Sequence, residues 1–357
     1  RTGLGDSNLF ASLAACGNGV VAMRGADPEG SCDDSYAALY LAGGTHQLVS
    51  KVRSGEVDKD NMNEDLVAWQ LPSLTFRAQG DPVWFQLSKE TMLGGYRKTL
   101  DLKNATLSRT VVVKHGDKET KVTCTRIVSM ADPTIIATQY VIEPRNWTGQ
   151  VEVRSMIDGS IVNNGIARYR TLKSKHLQVG GKGVDGAGTI FLEAETRMVK
   201  VWNPDAAGEQ RVEAVTKMAQ AARISITDQK GEVLQVSSVF TEEAEKVSQE
   251  FTVNVEQHKP VTVEQVVAVV PTRQKEEDVL RTAIAKANEK KNCTQLFDEH
   301  SREWQKLWHL YDIELDGPAE WQEIVRVHLM HTIMTLTKHS IGIDTSYPAR
   351  GWTGETY

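Results

Sequence analysis

Side chains able to bind a polar ligand are crowded into the last part of the sequence, residues 347–357. Arg350 and Glu355 supply a guanidinium and a carboxylate, and Trp352 and Tyr357 supply flat rings with one polar edge. Charged hydrogen-bonding groups beside half-apolar rings suit the binding of sugars and anions. On composition, the stretch predicts either a substrate-binding loop or a polar surface tail.

The backbone of this closing stretch is also unusual. Pro348 disfavours a helical conformation at Tyr347, so we expect the preceding helix to end before it. Gly351 and Gly354 allow conformations closed to other residues. Because the sequence stops inside this loop, we expect further polypeptide to follow it.

A second motif, Gly17-Asn18-Gly19, lies near the start of the chain between two apolar runs. Asn and Gly both tolerate positive φ, so the motif predicts a tight connection within a sheet.

Hydrophobic periodicity indicates the elements that must position these motifs. Residues 100–271 alternate between apolar and polar over many short runs separated by turn signals. Residues 107–113 and 121–128, for example, bracket residues 115–118 as in a β-hairpin, and Arg126 interrupts the apolar face of the second arm. Short β runs without intervening helices indicate antiparallel sheets packed face to face. We predict a mainly β fold, with a large antiparallel β-sandwich over residues 1–271.

After Pro271 the pattern becomes helical. Residues 275–291 are rich in helix formers, and residues 296–311 carry an apolar stripe at three- and four-residue spacing. We predict a helical linker over 272–317 and the start of a second helical unit over 318–357. The predicted stripes contain Leu296, His300, Trp304, Leu307, Trp308 and Tyr311 in one helix and Trp321, Ile324, Val325, His328, Leu329 and Thr332 in the next. The aromatic residues of the first stripe are expected to pack in the core rather than stack on a sugar. The second stripe is expected to be exposed without further partners.

Both motifs resemble sequences of glycoside hydrolase family 65. The closing stretch is similar to the family loop P-A-[KR]-G-[LW]-x-G-E-[GA]-Y, and the early motif to S-L-F-x-x-G-N-G-x-x-G-x-R-G; Thr356 and Ala22 depart from these patterns. The matching positions are Pro348, Ala349, Arg350, Gly351, Trp352, Gly354, Glu355 and Tyr357 in the first and Phe10, Gly17, Asn18, Gly19, Arg24 and Gly25 in the second. Residues 63–76, 96–102, 107–109 and 129–132 also look like family sequence.

The resemblance implies the front half of an enzyme: a β-super-sandwich, linker helices and the first helix of an (α/α)6 barrel. It implies cleavage of α-glucosidic disaccharides such as kojibiose, nigerose, maltose or trehalose with inversion, by phosphate or by water. Inorganic phosphate would be a co-substrate, and no other cofactor is expected. The general acid is expected beyond this chain, so no catalytic residue is assigned within it. Arg350, Trp352, Glu355 and Tyr357 would position substrate.

Partners follow from the same resemblance: an α-linked disaccharide, a C-terminal catalytic polypeptide and a second copy in a homodimer. A different class of function also fits the sequence. The β-sandwich could be a non-catalytic carbohydrate-binding or interaction protein, since no complete catalytic set is present in these residues.

Composition bears on the partners and the compartment of the protein. The net charge of −6 comes without a basic block, which disfavours nucleic acid as a partner. No apolar run approaches the ~20 residues that cross a bilayer. Four cysteines without metal spacing predict reduced, buried thiols, and the cytoplasm is the expected compartment, although sequons at Asn104, Asn146 and Asn292 leave secretion open.

Three weaker sequence signals are better explained by structural roles than by a binding or catalytic site. The Gly181–Gly186 string matches GxGxxG, but a strand follows it, so we expect a flexible loop and no dinucleotide site. His328 and His331 lack a third ligand, so satisfied or exposed histidines are expected rather than a metal site. Acidic residues such as Asp27, Glu29, Asp33 and Asp34 have no context that marks them as catalytic.

Overall fold

The computed structural model of the chain describes residues 7–29, 38–49, 62–66, 69–88, 91–163, 175–196, 199–202, 211–214, 216–272, 278–343 and 351. The described strands, in chain order, are β1 (Cys16–Gly17), β2 (Val21–Met23), β3 (Ala38–Leu41), β4 (Thr45–Val49), β5 (Met62–Leu66), β6 (Trp69–Gln70), β7 (Ser73–Ala78), β8 (Met92–Asp101), β9 (Thr106–His115), β10 (Lys118–Val128), β11 (Ile135–Pro144), β12 (Gly149–Asp158), β13 (Leu177–Val184), β14 (Ile190–Thr196), β15 (Val199–Trp202), β16 (Arg211–Ala214), β17 (Lys217–Thr227), β18 (Ser238–Glu242), β19 (Lys246–Val255) and β20 (Val261–Pro271). The helices are α1 (Ser7–Leu13), α2 (Val279–Ala287), α3 (Cys293–Tyr311) and α4 (Ala319–Ile333), and a 3-10 helix spans Lys338–Ser340.

An eight-stranded sheet dominates the fold, in the order β13-β14-β17-β20-β11-β10-β9-β8. Two four-stranded sheets accompany it, β18-β19-β12-β7 and β1-β2-β3-β6, with the two-stranded pairs β15-β16 and β4-β5. Every pairing between these strands is antiparallel. The predicted mainly β fold with large antiparallel sheets is confirmed.

The sheet β18-β19-β12-β7 packs against one face of the eight-stranded sheet. The core between them alternates along each strand, as the period of two requires. It contains Leu74, Phe76, Val111, Val113, Val122, Cys124, Tyr140, Ile142, Val151, Val153, Ile226, Phe251, Val253, Val255, Val261 and Val263.

Helix α2 and the first turn of α3 cover part of the opposite face of the large sheet. Val279, Ala283 and Ala287 of α2 pack on apolar residues of β11, β17 and β20. Arg223 of β17 fixes the connection between α2 and α3, because its guanidinium donates to the carbonyls of Ala287 and Lys291 at 2.8 and 2.7 Å. The start of α3 is fixed by a capping box at Asn292.

A third core joins the early sheet β1-β2-β3-β6 to the ends of the large sheet and to the later helices. Trp69, Tyr40 and Leu39 are fully buried here, together with Trp304 of α3 and Met330 of α4. The beginning of the chain therefore packs against its last described helices.

Several local predictions are confirmed. Residues 107–113 and 121–128 lie in the hairpin of β9 and β10, whose register pairs His115 with Lys118, and Gly116 has φ 59°. Cys16, Cys124 and Cys293 are free and buried, whereas Cys32 lies outside the described residues.

The prediction of a flexible loop at Gly181–Gly186 is wrong. Gly181 and Gly183 lie within β13, where the register to β14 shifts between Val179 and Lys182. Glycines inside a strand often mark such a bulge, which explains the misleading pattern. The turn comes later, where Gly188 donates to the carbonyl of Asp185.

The helices follow the predicted stripes with one exception. Leu296, His300 and Trp304 of α3 are buried, but Tyr311 is 54% exposed and does not pack in the core as expected. In α4, Trp321 and Ile324 are 59% and 56% exposed, as predicted. Among the described residues, no helix combines the length and apolar character needed to cross a membrane.

His300 fastens α3 to the turn that follows β10. Its Nδ1 accepts the backbone N–H of Met130 at 3.0 Å, so the ring proton belongs on Nε2, which lies 3.3 Å from the carbonyl oxygen of Ala105. Burial lowers the pKa of His300 from 6.5 to about 4. The folded chain therefore holds a neutral imidazole that the unfolded chain would protonate near pH 6.

This difference predicts a pH-dependent stability. A depressed folded-state pKa contributes stability above the unfolded pKa of 6.5, and that stability is lost as the pH falls toward 4. The free energy of unfolding should drop by up to about 3 kcal/mol through this group across the window. Urea unfolding at stepped pH checks this, with His300→Gln as the comparison. Identical pH dependence in the two proteins would refute the assignment.

Candidate functional site

Of the predicted substrate-binding residues, none falls in the part of the chain that the structure describes: Arg350, Trp352, Glu355 and Tyr357 all lie outside it. Their role stays a prediction. Gly351 is described and has φ 69°, a left-handed conformation that favours glycine. The described structure reaches residue 343, in the segment that leads into the closing stretch.

The Gly17-Asn18-Gly19 motif forms the predicted tight connection. Strand β1 pairs with β2 through Cys16–Met23 and Gly17–Ala22, and the N–H of Asn18 donates to the carbonyl of Val21 at 3.1 Å. Gly19 has φ 88°.

Asn18 is fully buried and makes hydrogen bonds on both sides of its amide. Its Oδ1 accepts the backbone N–H groups of Val20 and Val21 at 3.0 and 2.9 Å. Its Nδ2 donates to the carbonyls of Ser129 and Pro133 at 2.8 and 3.1 Å. Asn18 thus shapes its own turn and binds it to the turn after β10.

The segment after α4 docks on this same turn. The hydroxyl of Thr337 donates to the carbonyl of Asn18 at 2.6 Å, and the hydroxyl of Ser340 donates to the carbonyl of Gly19 at 3.1 Å. Thr337 also caps the 3-10 helix by accepting the N–H of His339 at 3.0 Å. The two side chains satisfy turn carbonyls that would otherwise be left unpaired.

Gly19 is required for this contact on two grounds. Its positive φ is costly for other residues, and a β-carbon built on it would lie 2.5 Å from the Thr337 hydroxyl, far inside contact distance. The motif resembling the family's N-terminal run and the segment entering the closing stretch therefore meet directly, although more than 300 residues separate them in sequence.

We call the contact of Thr337 and Ser340 with the Asn18 turn the junction. His339 strengthens it. Its Nε2 lies 2.9 Å from the carbonyl oxygen of Met130, whose N–H is bound by His300. Met130 is thus held from α3 and from the 3-10 helix at once.

The acidic residues considered above serve the structure where they are described. Both oxygens of Glu29 accept from the Arg109 guanidinium, at 2.7 and 2.6 Å, and the Tyr140 hydroxyl also donates to this carboxylate. Asp27 lies 3.0 Å from the ammonium of Lys98. Burial would raise the pKa of Asp27, but the charges of Lys98 and Arg109 outweigh it and hold that pKa below its ordinary value. Both acids are held by cationic side chains, an arrangement that serves the fold and leaves neither free for proton transfer.

The remaining candidates are also engaged or exposed. His331 Nε2 lies 3.0 Å from the carbonyl of Leu13, and His328 is exposed. Trp304 is buried, and Trp308 donates its indole N–H to the carbonyl of Leu102 at 2.8 Å. Asp33 and Asp34 lie outside the described residues.

Comparison with known proteins identifies the fold that carries this junction. Residues 4–307 match the N-terminal domain of glycosyl hydrolase family 65. The chain belongs to glycosyl hydrolase family 65. It is 31% identical over 358 residues to an uncharacterized glycosyl hydrolase of Mycobacterium tuberculosis (strain ATCC 25618 / H37Rv), a match that covers 99% of this chain and 25% of the relative.

Two further proteins match nearly the whole chain. The trehalose 6-phosphate phosphorylase of Lactococcus lactis subsp. lactis is 24% identical, over 97% of this chain and 41% of that protein. The solved structure of a putative kojibiose phosphorylase from the human microbiome superposes with a TM-score of 0.79 at 15% identity, covering 99% of this chain and 43% of its own. The chain spans between a quarter and about two fifths of the length of these proteins.

Sequence reasoning missed Thr337, His339 and Ser340. The signal was a Thr and a polar residue three positions later after a helical stripe, which is the spacing of a capping box. That pattern predicts a helix start, but it carries no information about the distant turn that the same hydroxyls contact.

Two glycines with the same φ allow a matched test of the junction. Gly19 and Gly80 both have φ 88°, but no heavy atom lies within 4 Å of a β-carbon built on Gly80. Gly80→Ala should therefore destabilise the protein by about 1 kcal/mol, which is the cost of placing a non-glycine residue at positive φ. Gly19→Ala should cost roughly 3 kcal/mol, because crowding against Thr337 is added.

Urea unfolding measures both costs, and hydrogen exchange over residues 337–343 reports the docking. Gly19→Ala should speed exchange there, and Gly80→Ala should not. Equal destabilisation by the two substitutions would show that the contact with Thr337 is unimportant.

Proposed function

We propose that this chain is the N-terminal part of an enzyme that cleaves α-linked glucose disaccharides with inversion, by phosphorolysis. The observation that carries the proposal is the match of residues 4–307 to the N-terminal domain of glycosyl hydrolase family 65. The structure adds that the Gly17-Asn18-Gly19 turn holds Thr337 and Ser340, which precede residues 344–357 in the sequence. In this proposal, residues 344–357 form part of the substrate pocket.

The reaction follows from the chemistry of an acetal. A general acid protonates the glycosidic oxygen, and a phosphate oxygen attacks the anomeric carbon from the opposite face. The bond between that carbon and the glycosidic oxygen breaks, giving β-glucose 1-phosphate and a free sugar. We place the acid in polypeptide outside this chain, because the chain spans only 41% of the trehalose 6-phosphate phosphorylase and 43% of the putative kojibiose phosphorylase.

The names of the relatives support phosphate as the nucleophile. One is a trehalose 6-phosphate phosphorylase and one a putative kojibiose phosphorylase, whereas the Mycobacterium tuberculosis relative is named only as a glycosyl hydrolase. Hydrolysis is the alternative, in which a second carboxylate activates water. The two reactions differ in whether turnover requires phosphate.

The rest of the architecture follows from the same proposal. Residues 1–271 would form the sandwich domain, 272–317 the linker and 318–357 the start of an (α/α)6 barrel. The exposed Trp321 and Ile324 of α4 would then pack against later barrel helices. Two copies would form a homodimer. We place the enzyme in the cytoplasm.

Within the pocket, we assign substrate positioning to Arg350, Trp352, Glu355 and Tyr357. Arg350 and Glu355 would hydrogen-bond sugar hydroxyls, and the rings of Trp352 and Tyr357 would lie against the apolar face of a sugar.

The test is a set of parallel incubations of the intact protein with kojibiose, nigerose, maltose, trehalose and trehalose 6-phosphate, each with and without inorganic phosphate. We expect one disaccharide to be cleaved only when phosphate is present, with equal amounts of β-glucose 1-phosphate and the second sugar. Release of free sugars at the same rate in both conditions would establish hydrolysis instead. No cleavage of any substrate, with saccharide binding retained, would favour a non-catalytic carbohydrate-binding protein.

Substitution of Glu355 tests the pocket assignment. Glu355→Gln should lower kcat/KM on the preferred disaccharide by about tenfold or more, since a charge-assisted hydrogen bond contributes roughly 1.5–3 kcal/mol. Glu320→Gln, which removes an exposed carboxylate in the first turn of α4, should leave kcat/KM unchanged. Wild-type kinetics in Glu355→Gln would remove Glu355 from the pocket.

A further inference from the structure

A polar cavity of about 350 Å³ lies at the sheet β18-β19-β12-β7, away from the Gly17-Asn18-Gly19 turn. Strands β7 and β12 line it, with the first residue of β19 and the segments 84–86 and 160–162. Leu74 and Val153 of these strands point into the sandwich core, so Ser73, Thr75 and Arg154 project from the other face of the sheet. A cavity of this size suits a monosaccharide-sized ligand.

Arg154 is the notable group in this cavity. Its guanidinium carbon lies 4.3 Å from the centre of the Trp84 ring, and that of Arg77 lies at the same distance from the same ring. Arg77 forms an ion pair with Glu152. Among the described residues, no carboxylate comes within 4.0 Å of Arg154, and its buried Nε makes no hydrogen bond.

The environment of Arg154 favours a further anion. Burial is the largest influence and, together with the charge of Arg77, lowers the pKa of Arg154 below its ordinary value, even though the charges of Glu250 and Glu243 act in the opposite direction. A half-buried cation that lacks a close counter-charge gains stability when an anion binds beside it.

The carboxylates lining the cavity do not compete for Arg154, because each already holds a cation. Glu29 is bound by Arg109 at 2.6 Å. Asp158 is bound by Lys246 at 2.9 Å, and its other oxygen accepts from the N–H and hydroxyl of Ser160. Of the two cations among the described residues that line the cavity, Lys246 is paired with Asp158, and Arg154 has no carboxylate within 4.0 Å.

A hydroxyl is also available beside Arg154. Ser73 and Arg154 lie diagonally on the same face of adjacent strands, since Arg154 pairs with Thr75 and Met156 with Ser73. The Ser73 hydroxyl makes no hydrogen bond to any residue that the structure describes, whereas that of Thr75 donates to the carbonyl of Phe85. A planar guanidinium fork beside a free hydroxyl matches the oxygens of a phosphate or carboxylate group.

We propose that this cavity binds an oxyanion group, free or carried by a monosaccharide, with Arg154 and Ser73 as its ligands. The guanidinium of Arg154 lies over the Trp84 ring, and this contact limits the conformational freedom that Arg154 loses on binding. The site is independent of the reaction proposed above, since none of its residues belongs to the junction or to the closing stretch.

The test uses the intact protein labelled with fluorotryptophan and followed by fluorine NMR. The Trp84 resonance is assigned by its loss in Trp84→Phe, so binding at this cavity is read separately from binding anywhere else. Inorganic phosphate, glucose 6-phosphate, glucuronate and glucose are titrated in turn at low ionic strength. We expect a saturable shift of the Trp84 resonance with at least one of the three anions and none with glucose.

The affinities show whether the site takes a free oxyanion or one carried by a monosaccharide. Glucose 6-phosphate binding more tightly than phosphate would show that the sugar contributes, and equal affinity would identify a free oxyanion site. A shift with glucose as large as that with the anions would overturn the proposal, as would a Trp84 resonance that none of the anions moves.

Three variants define the ligands. Arg154→Gln should weaken the anion affinity at Trp84 by about tenfold or more, the loss expected for a charge-assisted hydrogen bond, and Arg154→Lys should lie between it and wild type. Arg145→Gln removes the same charge from an exposed position before β12, and should change the affinity little. Equal weakening by Arg154→Gln and Arg145→Gln would reduce the effect to general charge and refute a built site.

Discussion

The large sheet is apolar on both faces, and the need to cover both determines the arrangement of the rest of the described chain. Strand β20 shows this along its length. Val261 and Val263 point into the core shared with the second sheet, whereas Val266 and Val270 point toward α2 and Val267 toward the third core. Each buried valine contributes roughly 1.5–3 kcal/mol when removed from water, so no face of β20 can remain open. The helices that follow β20 are therefore part of the sandwich's stability and not a mere connection.

The early sheet β1-β2-β3-β6 has a different place in this arrangement. It fills the end of the large sheet that neither the second sheet nor α2 reaches, and it shares a core with Trp304, Met330 and Ile333. This packing is what brings the Asn18 turn beside Thr337. A binding loop that begins from such a rigid base needs less ordering on ligand binding than one that begins from a free end, which is consistent with the function proposed for residues 344–357.

Local patterns were sufficient for the β9–β10 hairpin, the turn at Asn18 and most of α3, but not for β13, whose glycines indicate a loop in the sequence and form a bulged strand in the structure. They also failed where the environment of a side chain depends on residues that are distant in the sequence. Tyr311 continues the stripe of α3, but it lies in the last turn, beyond the contact that Trp308 makes with Leu102, so it has little to pack against. Arg126 breaks the apolar pattern of β10 because it is buried against the carbonyl of Ala26, a residue 100 positions away. The pairing of Glu29 with Arg109 is equally invisible to periodicity.

The contact between Asn18 and Thr337 also constrains how the protein is made. The two residues are 319 positions apart, so a ribosome that adds about 5–20 residues per second needs tens of seconds between them. During that interval the hydroxyls of Thr337 and Ser340 are not yet available to the carbonyls of Asn18 and Gly19, and the third core lacks Met330 and Ile333. The nascent chain is therefore most exposed to misassociation in the period before α4 leaves the exit tunnel, which is when a chaperone would be of most use to it.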